Sequence, residues 1–369
     1  EDFLKAKVCV ADRTGFDIDL NDVNPILKEH QKLIVAWACQ GGLRAIFAAF
    51  GLGKSVIQLE VIRLCMLRDG CDGLIVLPLG VRQEFTRDAA MLGIETKFIR
   101  RAEEIEPGKI HLTNYETIRD GKLDPTLFGA VSLDEASILR GFGGTKTFRE
   151  FMATLAGDDK RDMHSRVRTA GVKYRFVATA TPSPNEYIEL LAYAAYLGIM
   201  DVGQAKTRFF KRDSTKADKL TLHAHKEQEF WLWVASWALF VQRPSDLGCS
   251  DDGYTMPELD VRWHEIPADH EHAGEDWNNQ LMMFKKHAIG VVESSREKRE
   301  SLPHRIDKML ELIAEDPLAN RLIWHDLERE RYAIEKAIPS SVSVYGSQDL
   351  EAREKAIIDF SNGEFQYLA

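Results

Sequence analysis

Short apolar runs alternate with stretches of helical periodicity along the first half of the chain. The apolar runs, each four or five residues long, lie at 45–49, 73–77, 109–113, 130–133 and 174–178. Runs of this length that are bounded by polar residues or glycine are typical of buried strands. Strands that alternate with helices form parallel sheets covered by helices. The pattern therefore predicts an α/β fold whose chemistry takes place at the carboxyl ends of the strands.

The first predicted strand ends in a glycine-rich turn that precedes a helical stretch. The turn contains Gly51, Gly53, Lys54 and Ser55. Glycine lets backbone N–H groups curl around phosphate oxygens, and the following helix presents its positive end. A lysine here reaches the β- and γ-phosphates of a nucleotide, while the serine hydroxyl ligates Mg²⁺. The complete phosphate-loop pattern has a further glycine where this chain has Ala48. The alternative is a glycine turn that only caps a helix.

Two later strand ends carry polar groups. The fourth run is followed by Asp134 and Glu135. In a nucleotide hydrolase Asp134 would hold Mg²⁺ and Glu135 would polarise the attacking water. Acidic residues are also common at ordinary helix N-termini. The fifth run is followed by Thr179 and Thr181, whose hydroxyls would connect the γ-phosphate site to a second lobe. The alternative is an ordinary polar strand end before a proline turn.

In this order the segments resemble superfamily 2 helicase-type motors, and in detail their Swi/Snf-like branch. The matches run in correct order over roughly 25–369. They are LKEHQ at 27–31, GLGKS at 51–55, LIVLP at 74–78, QEF at 83–85, NYET at 114–117, DEAS at 134–137, TPSPN at 181–185, VQRPSD at 241–246, MPEL at 256–259, YGS at 345–347 and FSNG at 360–363. Compact phage and prophage helicase-like proteins are the relatives that the resemblance suggests.

The resemblance implies a P-loop NTPase with two RecA-like parallel-sheet lobes, the second incomplete, and a helical insertion between them. The implied domains are an N-terminal extension at 1–24, an ATP-binding lobe at 25–204, a helical insertion or linker at 205–300 and a partial second lobe at 301–369. Two departures matter. The acidic motif ends in Ser137 and not in Asp, unlike the DEAD-box RNA helicases. The motifs that normally carry an arginine finger are absent before Ala369, so we expect ATP binding with weak or absent hydrolysis.

The function that the resemblance implies is an ATP-driven, Mg²⁺-dependent translocase on double-stranded DNA. Lys54, Asp134 and Glu135 would be catalytic, and Gln31 would select adenine. The alternatives are a strand-separating DNA or RNA helicase, the motor subunit of a restriction or defence assembly, and an ATP-gated clamp. No motif identifies a partner nuclease or methyltransferase.

Net charge alone argues against a nucleic-acid partner, because 48 basic and 58 acidic residues give −10. Between 140 and 212, however, thirteen basic residues face seven acidic ones, a local +6. Local patches determine contact with a phosphate backbone. The candidate contacts surround Phe209 and Phe210 and are Lys206, Arg208, Lys211 and Arg212. The alternative is that these residues only form a solvated face.

The stretch 228–241 contains Trp231, Trp233 and Trp237 and is predicted to be one helix. A base-stacking wedge is possible for such a helix, but a helix buried in the core is the favoured interpretation. No apolar stretch reaches the ~20 residues of a membrane span, and five cysteines without a C-x-x-C pair favour a reducing compartment. We therefore expect no membrane partner and a cytoplasmic protein of a bacterium or a phage-infected cell.

Two groups of histidines could in principle be interpreted as metal-binding sites. Neither group has acidic or cysteine partners at the spacing of zinc ligands, so ordinary surface or core histidines are favoured. The residues are His223, His225, His264, His270 and His272.

Overall fold

A parallel sheet is the framework of the larger of two compact units, Glu1–Met256 and Pro257–Ala369. The computed structural model describes residues 10–140, 151, 172–183, 186–212, 220–255, 257–266, 298 and 301–369. Within these residues, seven strands of the larger unit are hydrogen-bonded in the order β3-β4-β2-β5-β6-β1-β9, and every pairing is parallel. The predicted α/β fold with a parallel sheet is confirmed.

The described strands of the larger unit are β1 (Leu43–Ala48), β2 (Gly73–Leu77), β3 (Thr96–Phe98), β4 (Ile110–Asn114), β5 (Ala130–Asp134), β6 (Tyr174–Ala178), β7 (Phe210–Arg212), β8 (Leu220–Leu222) and β9 (Ala238–Val241). The described helices are α1 (Glu29–Gly41), α2 (Lys54–Asp69), α3 (Arg82–Met91), α4 (Tyr115–Arg119), α5 (Leu190–Tyr196), α6 (Val202–Phe209) and α7 (Glu227–Ala235). Strands β7 and β8 form a separate antiparallel pair.

The sheet is buried on both faces, which explains its continuous apolar strands. Successive side chains of a strand point to opposite faces. Ala45 and Phe47 of β1 accordingly pack into one apolar cluster, while Ile46 and Ala48 pack into the other. Because β5, β6 and β1 are neighbours at the centre of the sheet, their carboxyl ends meet at one edge.

The prediction of one helix over 228–241 is wrong. Helix α7 ends at Ala235, and Ala238–Val241 forms β9, which pairs in parallel with β1. The apolar residues continue without a break from helix to strand, so their pattern alone does not mark the change. The exposed edge of β1 supplies the hydrogen-bond partners that make this segment a strand.

The amino edge of the same sheet contains two buried arginines, one near the start of β1 and one near the start of β6. Arg44 donates to the carbonyl oxygen of Asp12 at 3.2 Å. Arg175 donates to the carbonyl oxygens of Val172 at 3.0 Å and Leu197 at 2.8 Å. Burial lowers the pKa of both guanidinium groups. Backbone carbonyls thus accept hydrogen bonds from these buried cations and tie loops to the sheet.

The smaller unit contains α8 (Leu302–Glu315), β10 (Arg321–Leu322), α9 (Glu328–Ala337), α10 (Leu350–Ser361) and β11 (Tyr367–Leu368). The two strands pair in parallel, and a bridge joins Val342 to Leu368. An ion pair of 2.6 Å between Arg305 and Glu330 connects α8 to α9.

The boundary between the two compact units lies at 256/257. Residues of α6, α7 and β9 belong to the main core, for example Phe209, Trp233 and Val241. The assignment of functional domains stays a prediction. In the part of the chain that the structure describes, no helix is long and apolar enough to span a membrane.

Candidate nucleotide-binding site

The turn after β1 has the backbone that a phosphate loop requires. Gly51 and Gly53 have φ angles of 82° and 76°, a left-handed conformation that favours glycine. Gly53 is the N-cap of α2, which begins at Lys54. A 16-residue helix therefore presents its N-terminal N–H groups and its positive end to the turn.

The side chain of Gln31 stabilises this loop by hydrogen bonding to its backbone. Its Nε2 donates to the carbonyl oxygen of Leu52 at 3.1 Å, and its Oε1 accepts from the backbone N–H of Lys28 at 2.9 Å. A Cβ added at Gly53 would lie 2.4 Å from the same Nε2, so only glycine permits this close approach. A primary amide has two N–H groups and two lone pairs. These bonds use one of each.

Lys54 lies at the mouth of the loop. Its Nζ is 3.5 Å from the carbonyl oxygen of Ala49 and 5.0 Å from the centre of the Phe50 ring. Phe50 is 76% exposed. The ammonium group is thus held by a carbonyl and an aromatic face, two weak partners that a phosphate group would outcompete.

The hydroxyl of Ser55 donates to Asp88 at 2.5 Å. Asp88 lies on α3, and its side chain is 15% exposed. Ser55 itself is buried at the first turn of α2. Sequence reasoning did not identify Asp88 as a residue of the site.

A buried chain of hydrogen bonds positions Asp134. Ser132 donates to Gln58 at 2.7 Å, and Gln58 donates to Oδ1 of Asp134 at 2.8 Å. Tyr115 donates to the backbone carbonyl of Asp134. Burial raises the pKa of Asp134 to about 6, the bond from Gln58 opposes this rise, and the charge of Glu135 adds to it. The carboxylate is therefore ionised at neutral pH but poorly stabilised by its surroundings.

Glu135 has an unusual backbone conformation. Its φ is +46°, in the left-handed region, which costs a residue with a Cβ about 1–2 kcal/mol. Thr179 donates to Oε2 of Glu135 at 3.1 Å, and the backbone N–H of Thr181 donates to the Thr179 hydroxyl at 3.2 Å. The ends of β5 and β6 are thereby connected through the carboxylate of Glu135, and Thr181 is exposed.

The phosphate loop, Asp88, Asp134 and Glu135 line a cleft of about 390 Å³, whereas Gln31, Thr179 and Thr181 do not line it. Of the described residues that line it, four are acidic and one is basic; they are Glu84, Asp88, Asp134, Glu135 and Lys54. Hydroxyl and carboxylate oxygens are the protein ligands that Mg²⁺ prefers, together with phosphate oxygens. The donor set of Ser55 and Asp134 therefore fits a magnesium ion.

The candidate nucleic-acid contacts do not line this cleft. Lys206 and Arg208 belong to α6, and Lys211 and Arg212 belong to β7. Arg208 forms an ion pair of 2.6 Å with Glu229, so its charge is compensated within the fold. Lys211 is exposed, and a role in nucleic-acid binding stays a prediction for the group.

The aromatic residues near these cations form core. Phe209, Trp233 and Trp237 are fully buried, and the rings of Phe209 and Trp233 stack at 5.1 Å. The core interpretation is confirmed for these tryptophans. Trp231 is half-buried and contacts Tyr187 at 5.0 Å between ring centroids.

Other predictions concern residues that lie outside the described ones. These are the basic segment at 160–168, Pro184 and Asn185 of the T-P-x-x-N match, Met256, Cys9, His270 and His272. In the described part of the chain, no group of three His, Cys, Asp or Glu residues is placed to hold a metal ion. Cys39 and Cys65 are buried free thiols, and Cys71 and Cys249 are free and half-buried.

Comparisons with known proteins agree with the fold. No protein-family model matches the chain, and no curated protein matches it. The solved structures that resemble it include the Sulfolobus solfataricus SWI2/SNF2 ATPase core in complex with double-stranded DNA, with a TM-score of 0.50, 16% identity, and coverage of 95% of this chain and 79% of that chain. The same core domain alone has a TM-score of 0.48 at 17% identity, covering 95% of this chain and 77% of that one. The UvsW helicase from bacteriophage T4 has a TM-score of 0.35 at 14% identity, covering 54% and 64%.

The first of these likenesses shows that the chain shares the fold of that core, an α/β fold with RecA-like parallel-sheet architecture. At 16% identity it shows the fold alone.

Proposed function

We propose that this protein is an ATP-hydrolysing motor that acts on double-stranded DNA. One observation carries the proposal: a phosphate loop, a buried aspartate and a glutamate tied to a threonine meet at the carboxyl edge of one parallel sheet. The edge of a sheet beyond its strand ends is where α/β folds bind nucleotides.

The phosphate groups of ATP would lie against the N–H groups of 51–55 and the ammonium of Lys54. Ser55 and Asp134 would hold the Mg²⁺ ion. When bound, that ion neutralises phosphate charge and polarises the phosphoryl oxygens. Gln58 keeps Asp134 in place, because a carboxylate fixed at Oδ1 by a 2.8 Å hydrogen bond cannot rotate away from the cleft.

Glu135 would act as the general base for hydrolysis. Its carboxylate accepts a proton from the attacking water, and the hydroxide oxygen forms the new bond to the γ-phosphorus as the bond to the ADP oxygen breaks. Thr179 holds the carboxylate at 3.1 Å. A movement of β6 would therefore shift the carboxylate of Glu135. This is a physical basis for the predicted role of Thr179 and Thr181, which is to couple the γ-phosphate site to a second lobe.

Gln31 would recognise adenine through the hydrogen-bonding capacity that its two bonds within the chain leave. Within the part of the chain that the structure describes, one N–H group and one lone pair of Gln31 remain. Adenine presents a matching acceptor and donor at N7 and N6. A purine base with a carbonyl in place of the amino group would present two acceptors, and the remaining lone pair of Gln31 would then have no donor.

Double-stranded DNA is the partner that the structural likeness favours, because the neighbour with the TM-score of 0.50 is an ATPase core in complex with double-stranded DNA. The local +6 between residues 140 and 212 is a second argument for a polyanionic partner. Lys211, exposed on β7, is one candidate for a phosphate contact.

The test is the ATPase rate of the full-length protein without nucleic acid and with duplex DNA, single-stranded DNA or RNA. We expect duplex DNA to give the largest stimulation, by tenfold or more. K54A should lower the turnover rate by at least about 100-fold, because it removes the ammonium group that stabilises the negative charge of the transferring phosphoryl group. K173A, which removes an exposed lysine of the same unit, is the matched control and should keep the wild-type rate.

Each alternative has its own outcome. Stimulation by single strands or RNA above that by duplex would favour a strand-separating helicase. Nucleotide binding without stimulation by any nucleic acid would overturn the motor assignment and leave the nucleotide site standing.

A further inference from the structure

We propose that Asp88 is a positioning residue for the metal ligand Ser55, and that it makes nucleotide binding dependent on Mg²⁺. The inference rests on the function proposed above, because it concerns the same cleft. It assigns a role to a residue of α3 that lies outside the phosphate loop and outside the acidic pair.

The geometry of the hydroxyl carries the first step. A serine hydroxyl has one proton and two lone pairs. In this structure the proton is directed at Asp88, since Oγ lies 2.5 Å from Oδ2 and a carboxylate can only accept. Both lone pairs of Ser55 are therefore directed away from Asp88, into the cleft that the two residues line together.

The orientation matters because a metal ion binds a lone pair and not a proton. Without an acceptor behind it, the hydroxyl proton can rotate toward the metal position, where it repels a cation. Outer groups that orient ligands in this way typically change metal affinity by about 10- to 100-fold when they are removed. Asp88 lies in the second half of α3, is only 15% exposed and forms an ion pair with Arg87 at 3.7 Å, so its carboxylate has a second partner besides Ser55.

The net charge of the cleft explains why nucleotide binding would depend on the ion. Four of the described residues that line the cleft are carboxylates, and Lys54 is the one cation among them. Arg87 lies 3.7 Å from Asp88 and offsets part of one of these charges, but a polyphosphate without a divalent ion still meets an excess of negative charge. The loop and Lys54 alone offset this excess poorly, so the favourable path is binding of the nucleotide together with its ion.

The experiment measures the affinity of a fluorescent ADP analogue in Mg²⁺ and in EDTA, by direct titration of the full chain. The ratio of the two affinities is the metal-dependent gain. In wild type we expect a gain of at least 100-fold. D88A should reduce the gain by tenfold or more, and D88N should lie between them, since an amide oxygen is a weaker acceptor than a carboxylate. In EDTA both variants should bind at least as tightly as wild type.

E84A is the matched control. Glu84 lies one turn earlier on α3 and lines the same cleft, so its removal lowers the negative charge equally without removing the acceptor of Ser55. The gain of E84A should stay within about threefold of wild type. Circular dichroism of every variant checks that α3 is intact.

A double-mutant cycle tests whether Asp88 acts through Ser55. S55A should lower the gain by itself, and in the S55A background D88A should add no more than the about threefold change allowed for E84A, which is the effect of charge alone. The inference is overturned if D88A keeps the wild-type gain, if E84A loses as much as D88A, or if D88A and S55A are additive. A wild-type protein without any metal-dependent nucleotide binding would instead overturn the proposed function itself.

Discussion

The two edges of the main sheet bury charge in opposite ways. At the amino edge, Arg44 and Arg175 donate to backbone carbonyls of loops. At the carboxyl edge, Asp134 is equally buried, but its surroundings raise its pKa to about 6. The first arrangement gives each buried charge carbonyl partners that tie loops to the sheet, although burial disfavours that charge as well. The second keeps a charge that only a ligand can fully compensate, which is the usual condition of a functional site.

The largest expected effect is on catalysis at the carboxyl edge. E135Q should lower the ATPase rate by about 10²- to 10⁴-fold, because the neutral amide cannot accept the proton of water. Affinity for a fluorescent ADP analogue and the melting temperature should both stay near wild type. Hydrolysis by E135Q at the wild-type rate would remove Glu135 from the mechanism.

The next effect concerns stability at the amino edge. R175M should lower the free energy of unfolding by about 2–4 kcal/mol, because the carbonyl groups of Val172 and Leu197 lose their donor in the interior. Urea unfolding measures this loss. K173M, two residues earlier and largely exposed, should change stability by less than about 1 kcal/mol. Equal losses in the two variants would show that the edges do not differ as described.

A stability gain of smaller size is expected from D134N. The folded state raises the pKa of this acid from 3.8 to about 6, so it binds a proton more tightly than the unfolded state does. Stability from this group is complete below pH 4 and is lost as the pH rises through 6. D134N avoids the loss and should exceed metal-free wild type by about 1–3 kcal/mol at pH 7.5.

Urea unfolding at several pH values checks this sign. The difference between D134N and wild type should vanish near pH 4. A difference that is the same at pH 4 and pH 7.5 would show that titration of Asp134 is not its cause.

The smallest effect separates backbone conformation from charge at position 135. Asparagine adopts the left-handed region more readily than glutamine. E135N should therefore be more stable than E135Q by about 0.5–1 kcal/mol, with both inactive. Equal melting temperatures would mean that the φ of +46° carries no strain.

The central strands and the phosphate loop could be predicted from sequence because their information is local. A buried parallel strand is a short apolar run, and a glycine turn before a helix has a fixed spacing to its lysine. β1, β2, β4, β5 and β6 all lie within one or two residues of the predicted runs. β9 could not be predicted, because its four apolar residues extend the pattern of α7 and become a strand only beside β1.

The supporting residues of the site were missed for a related reason. Gln58 lies four residues after Lys54, one helical turn along the same face, which was the available signal. Asp88 had no local signal, since its importance comes from a bond to a residue 33 positions earlier. The pairing of Arg208 with Glu229 is equally non-local.

The pairing of β1 has a consequence for biosynthesis. Its two neighbours are β6 and β9, and Ala45 pairs with both Val177 and Ala238. A ribosome adds about 5–20 residues per second, so the strand that carries the phosphate loop emerges about 10–40 s before its last partner. During that interval its backbone groups on that side have no strand to bond. The nascent chain thus presents an apolar edge for tens of seconds, and a chaperone that covers it would protect the most important strand of the site.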